Sequence, residues 1–206
     1  MSVPTIVYML KAPEPGRVKT RLATDIGDDE ACRVYCALAE RQYRALPPGW
    51  PVEIHFAPAN AALRMRRWLG GANRYVPQVE GDLGKRLAAA SESAFAGGAR
   101  HVFMIGADCP NLGLEDFALA LHQLSTGYDA VFGPARDGGY YLLATRRHLP
   151  QLFDGIPWST PDVLRQSLGN ADRSGLKSAL LVEKEDIDDI AGLRRNFPDW
   201  ETAFLI

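Results

Sequence analysis

The feature that most constrains this chain is a regular interleaving of short apolar runs with helix-length amphipathic segments over its 206 residues. The runs 5–10, 52–57, 101–105, 130–132, 140–144 and 179–182 are rich in β-branched, aromatic and aliphatic residues, the side chains that fit a pleated, buried surface. Between them, Asp28 or Asp29 can cap a helix running to about Ala45, with Ala31, Val34, Tyr35, Leu38 and Ala39 on one face. Further helices are expected over 61–69, 84–96, 114–124, 161–168 and 189–196. Strands alternating with helices predict an α/β fold, a mostly parallel mixed sheet flanked by helices, with the ligand crevice beyond the carboxyl ends of the strands. No repeat, low-complexity tract or linker divides the chain, so residues 1–206 are expected to form a single domain.

The segment KAPEPGRVKTRLA, residues 11–23, follows the first expected strand and sets Lys11, Arg17, Lys19 and Arg21 against Glu14. Pro13, Pro15 and Gly16 argue against regular helix or central strand, because proline lacks a donor and glycine adds backbone freedom. A shaped basic loop is expected. Its amides and fixed cations suit phosphate oxygens, while a solvated basic turn is the plainer reading.

Composition limits the partners. A formal net charge of -2 argues against nucleic acid, whose binding uses many phosphate contacts from an extended basic surface; one basic loop matches one small ligand. The N-terminal apolar run lacks preceding basic residues and a small-residue cleavage pattern, and no apolar run approaches the roughly 20 residues that span a bilayer, so a cytoplasmic protein without a membrane span is expected. Cys32, Cys36 and Cys109 are too few for a disulfide framework and are read as reduced thiols, the first two as core fillers one helical turn apart.

Several loops carry chemistry and each has a structural alternative. Asp108, directly after a buried-strand pattern, can hold Mg²⁺ or Mn²⁺ or cap a turn before Cys109-Pro110. In the acidic run 183–189, Asp188 or Asp189 can cap the last helix, and a second metal carboxylate is the other reading. Gly81-Asp82-Leu83-Gly84-Lys85-Arg86 opens a helix whose first amides can meet phosphate or base edges, though a glycine turn capped by Asp82 explains it as well. Asp137-Gly138-Gly139-Tyr140 is a hairpin turn by composition, or it aims Asp137 at an acceptor or a metal, with glycines that allow close approach. In Trp158-Ser159-Thr160-Pro161-Asp162, Thr160 can cap a helix starting at Pro161, with Trp158 as core, lid or acceptor wall. The chain lacks the P-loop GxxxxGK[ST], a GxSxG elbow, an HExxH helix and paired CxxC, and His55, His101, His122 and His148 lack metal-ligand spacing.

Taken in order, KAPEPGRVKTRLA, EGDLGKRLAAA, IGADCPNL, GPARDGGYYLL and IPWSTPDVL give a chain that resembles the DUF2064 family, provisionally described as nucleotide-diphospho-sugar transferases. The resemblance covers about residues 5–197. It implies a GT-A-like nucleotide-diphospho-sugar transferase fold, related to the molybdopterin-guanine and phospholactate guanylyl enzymes. It puts Gly16, Arg17, Lys19 and Arg21 near the nucleotide phosphates, and the loop readings add Lys11 and Gly81, Asp82, Gly84 and Arg86 to the expected nucleotide site. It makes Asp108 and Asp188 the ligands of Mg²⁺ or Mn²⁺, while the loop readings above put Gly138, Gly139, Tyr140, Trp158, Ser159 and Thr160 on the acceptor side. Asp108, Lys19, Arg21 and Asp137 are then the catalytic set. The sequence departs from the family pattern in having one aspartate in GADCP, where many GT-A enzymes have Asp-x-Asp, and in lacking the GxGxR loop. The expected function is metal-dependent transfer from a nucleotide-sugar donor to a small-molecule acceptor. The alternatives are nucleotidyl transfer from an NTP to a phosphorylated acceptor with pyrophosphate release, and nucleotide binding without catalysis. Base, sugar, acceptor and oligomeric state stay open at this point.

Overall fold

The computed structural model describes residues 3–70 and 73–203. Strands β1 (Thr5–Lys11), β2 (Val52–Ala57), β3 (Arg74–Pro77), β4 (Val102–Ile105), β5 (Ala130–Pro134), β6 (Tyr140–Thr145) and β7 (Ser178–Leu180) build one seven-stranded sheet. Their order is β3-β2-β1-β4-β6-β5-β7, and every pairing is parallel except the two made by β6. Helices α1 (Thr20–Ile26), α2 (Asp28–Arg44), α3 (Ala62–Leu69), α4 (Leu83–Ala96), α5 (Leu114–Ser125), α6 (Val163–Arg173), α7 (Ile190–Asn196) and α8 (Trp200–Ala203) complete the fold, a mixed α/β architecture as expected. Among the described residues no helix is long and apolar enough to cross a membrane.

The central strands are apolar on both faces because helices cover both. In β1, Ile6, Tyr8 and Leu10 face a cluster that includes Tyr35 and Ala39 of α2, Met65 of α3 and Phe117 of α5. Val7 faces the opposite cluster, with Leu87 and Ala90 of α4 and Ala171 of α6. The same alternation splits β4, with Phe103 and Ile105 on the first side and Val102 and Met104 on the second. Each fully buried side chain of this size contributes roughly 1.5–3 kcal/mol of apolar burial, so the two clusters fix the sheet and hence the loops at its rim.

β1 and β4 are neighbours, while β2 leaves β1 on the other side. The crossovers therefore diverge between β1 and β4, and the crevice at their carboxyl ends is where an open α/β sheet holds ligands.

Four local expectations are corrected. The segment 11–23 is a loop only as far as Lys19; Thr20–Ile26 is helix, because Leu22 enters a small third cluster with Leu38, Ile187 and Leu193. Asp28 and Asp29 stand in the first turn of α2 and its N-cap is Gly27, so they act on the helix dipole and not as caps. β3, outside the apolar runs, is a short edge strand in which Tyr75 alone is buried. Finally, α6 starts at Val163 with Asp162 at its N-cap position, and Thr160 donates instead to the Pro157 carbonyl at 2.8 Å.

Candidate functional site

Three loops leave the carboxyl ends of β1, β4 and β5 and meet a fourth from β7. Gln42 of α2 donates to the Gly106 carbonyl at 2.7 Å and fixes the turn that carries Asp108. The Asp108 carbonyl in turn accepts from the Ile187 amide at 2.9 Å. That bond brings Asp186 and Asp188 to Asp108. On the other side, the Arg136 amide donates to the Lys184 carbonyl at 3.1 Å and Lys184 returns a bond to Pro134 at 3.0 Å, so the loop after β7 runs alongside the extension of β5 and meets Asp137.

Carboxylate oxygens of Asp137, Asp186 and Asp188 lie within 4.8 Å of one another. Partial burial, then the charges of Asp137 and Asp188, push the Asp186 carboxyl up to about 6. Crowded carboxylates of this kind are stabilised by a cation, and an all-oxygen donor set suits Mg²⁺ or Mn²⁺. Asp137 also accepts from the Gly139 amide at 2.8 Å, so one side chain both shapes the β5–β6 turn and faces the cluster.

Lys19 is the internal counter-charge. Its side chain is 4% exposed, its Nζ pairs with Asp108 and, at 3.3 Å, with Asp188, and it also donates to the Ile187 carbonyl. Burial works against its charge, but the two carboxylates outweigh burial and hold the ammonium above the usual lysine value. The backbone pays a cost here too: Lys19 is left-handed (φ 47°), as is Ser159 (φ 65°), and these two positive-φ residues other than glycine both line the same cavity. Left-handed backbone at non-glycine positions costs energy and gathers at ligand sites.

That cavity, about 550 Å³, opens at the carboxyl ends of β1 and β4. Of the residues expected at a nucleotide, Lys11, Lys19, Arg21 and Arg86 line it. Gly16 and Arg17 form the turn before it and do not; nor do Gly81, Asp82 and Gly84. Asp82 caps α4 through the Lys85 amide at 2.8 Å. Gly84 makes room for Trp158, whose indole nitrogen would be 2.8 Å from a Cβ there. Of the acceptor set, Gly139, Tyr140, Trp158, Ser159 and Thr160 line the cavity, while Gly138 lies behind it against Pro161. Asp108, Asp137 and Asp188 all reach it.

Sequence reading left out several lining residues. Asp186, within the acidic run 183–189, lies with Asp188 and Asp137 in one carboxylate cluster. Gln78 carries no motif. It donates to the carbonyls of His55 and Leu10 at 2.8 and 3.2 Å and lies 3.5 Å from Arg86, whose Nε donates to the Gly81 carbonyl at 3.0 Å. Tyr35 gave no signal beyond its helical face, yet its hydroxyl donates to the Lys11 carbonyl and accepts from the Lys11 amide, both at 2.9 Å.

Comparison with known proteins adds the family. The profile of DUF2064, described as "Uncharacterized protein conserved in bacteria", matches residues 42–160. The chain belongs to the DUF2064 family. A crystal structure from Desulfovibrio desulfuricans G20, provisionally assigned as a nucleotide-diphospho-sugar transferase, is 34% identical, with a TM-score of 0.90 over 96% of this chain and 87% of that one. More distant structures share the fold. CMP:2-keto-3-deoxy-manno-octonic acid synthetase complexed with CTP is 14% identical, with a TM-score of 0.58 over 98% of this chain and 100% of that one. Glucosyl-3-phosphoglycerate synthase of Mycobacterium tuberculosis, complexed with Mn²⁺, UDP and glucosyl-3-phosphoglycerate, is 12% identical, with a TM-score of 0.52 over 89% and 70%. No curated protein matches. The DUF2064 chain thus has the nucleotide-diphospho-sugar transferase fold, with its cation and carboxylate loops gathered at the end of the sheet where that fold is open.

Proposed function

We propose that this DUF2064 protein is a transferase acting on a nucleotide-linked substrate, and that it moves a glycosyl group from a nucleotide-sugar donor to a small-molecule acceptor with Mg²⁺ or Mn²⁺. The observation that carries the reading is the meeting, around one cavity, of Lys11, Lys19, Arg21 and Arg86 with Asp108, Asp137, Asp186 and Asp188. Cations alone would fit any anion, and carboxylates alone any cation. Both together fit a metal diphosphate. The relative from Desulfovibrio desulfuricans, at 34% identity, supports the same chemistry.

Asp186 and Asp188, with Asp108 paired to the same lysine, would hold the divalent ion, and Asp137, the exposed member of the cluster, is left for the acceptor. When bound, the ion supplies charge stabilisation for the departing nucleoside diphosphate. Lys11, Arg21 and Arg86 hold the phosphates from the β1 and α4 sides, fixed charge that needs no reorganisation as the leaving group develops charge. Trp158, Ser159 and Thr160 wall the acceptor side together with Gly139 and Tyr140. Asp137 is assigned to orient the acceptor hydroxyl and take its proton as the new glycosidic bond forms.

Nucleotidyl transfer is the second reading, supported by the likeness to the synthetase that binds CTP. There an acceptor phosphate attacks the α-phosphorus of an NTP and pyrophosphate leaves. The two separate cleanly by product. Incubation with Mn²⁺, a panel of NDP-sugars and NTPs, and sugar, phosphorylated and alcohol acceptors should release nucleoside diphosphate from an NDP-sugar. Pyrophosphate from an NTP would replace the first reading by the second. Nucleotide-dependent stabilisation with no turnover on the whole panel would leave a binding module.

A further inference from the structure

The Lys19 ammonium has three protons, and its acceptors are Asp108, Asp188 and the Ile187 carbonyl. With its side chain 4% exposed, nothing remains to donate to a phosphate. Yet the same lysine lines the cavity, and the carboxylates it neutralises are themselves 47% and 40% exposed, open to any ion that enters. Two demands therefore fall on one set of charges: the carboxylates are wanted by a divalent ion, and the ammonium by the phosphates. An exchange satisfies both.

We propose that Lys19 is a displaceable counter-ion, whose ammonium holds Asp108 and Asp188 in the free protein and is handed to the phosphates when a divalent ion arrives with them. This rests on the reading of the ligand as a metal-bound nucleotide. The swing is local, since Lys19 immediately precedes α1 and a flexible four-carbon stem can turn without moving the helix. The consequence is an ordered site. Metal alone must evict a buried ammonium and leave it without an acceptor, so it binds the free protein weakly. Metal and phosphates together compensate one another, and by linkage each must raise the affinity for the other by the same factor.

The test uses Mn²⁺ alone, so it does not depend on which group the enzyme transfers. Absence of turnover with every donor would sink the functional reading and leave this one standing. Titration of the free protein, followed by electron paramagnetic resonance of unbound Mn²⁺, should show Lys19→Met binding roughly tenfold more tightly than wild type, within the usual range for coupled ligands. The double variant Lys19→Met with Asp108→Asn should return toward wild-type affinity, and Lys11→Met, in the same cavity but without these partners, should change little. Equal Mn²⁺ affinity in wild type and Lys19→Met overturns the proposal. Should Lys19→Met fail to fold, the wild-type chain answers by reductive methylation read by mass spectrometry. Lys19 is expected to be protected in the free protein and to label once Mn²⁺ saturates it, and protection that persists at saturating Mn²⁺ is the contrary result.

Discussion

Gly138 has φ +89°, and a Cβ on it would lie 2.0 Å from the Pro161 carbonyl oxygen. Its own carbonyl accepts from the Leu164 amide at 2.9 Å, so the turn that carries Asp137 is seated on the start of α6. Alanine cannot fit without moving one backbone or the other. Gly138→Ala is expected to destabilise the protein by roughly 2 kcal/mol or more, read from the urea midpoint. A midpoint equal to wild type would show that the turn yields freely. At Asp186 the expectation concerns ligand and not stability: Asp186→Asn should weaken Mn²⁺ binding roughly tenfold, the scale seen when support at a metal site is lost. Unchanged binding would remove Asp186 from the proposed donor set. Position after a buried strand makes Asp108 a metal candidate, and the family resemblance adds Asp188. Neither reveals that Lys19 stands between them, because that contact joins the β1 loop to loops after β4 and β7.

At the scale of elements, Asp129 ties three strands together at the start of β5. One carboxylate oxygen accepts from Arg146 at 2.7 and 3.0 Å and from Arg147 at 3.2 Å, just past β6; the other accepts from the Lys177 amide at 3.0 Å, just before β7. Burial opposes its charge, but the Lys177 amide and the Arg146 guanidinium outweigh burial and hold its carboxyl below the ordinary value. A depressed carboxyl stabilises the fold above the unfolded-state pKa, and that contribution disappears as pH falls through the native one. Asp129→Asn should therefore cost about 2 kcal/mol at pH 7, with the gap from wild type closing in acid. A gap that is the same at neutral and acid pH would assign the loss to packing. The elements themselves are largely readable, since β1, β2, β4, β5 and β6 follow the apolar runs, while β7 shares only residues 179–180 with its run. β3 and α1 are not: one buried residue, Tyr75, does not make a strand pattern, and α1 is a helix because Leu22 has a tertiary pocket to fill.

For the whole molecule, a ligand that binds the native state alone raises the apparent melting temperature by mass action. NDP-sugars or NTPs with Mn²⁺ should raise it by more than the sum of nucleotide alone and Mn²⁺ alone, as a site shared by metal and phosphate requires. Additive shifts would mean separate sites. The class of the fold is written in the order of residues, because alternating apolar strands and amphipathic helices bury their faces in a covered, mostly parallel sheet. So is the placing of the basic loop after the first strand and of aspartates at the ends of later ones, since both are matters of order along the chain. Which charges meet follows from the packing of the folded chain. Strand order β1-β4 and the bond from the Ile187 amide to the Asp108 carbonyl set Lys19 between two carboxylates and drew Asp186 and Asp137 to Asp188. Packing of the sheet fixes the distances between loops, and the strength of an interaction between charges depends on those distances and on burial, neither of which is carried by position in the chain.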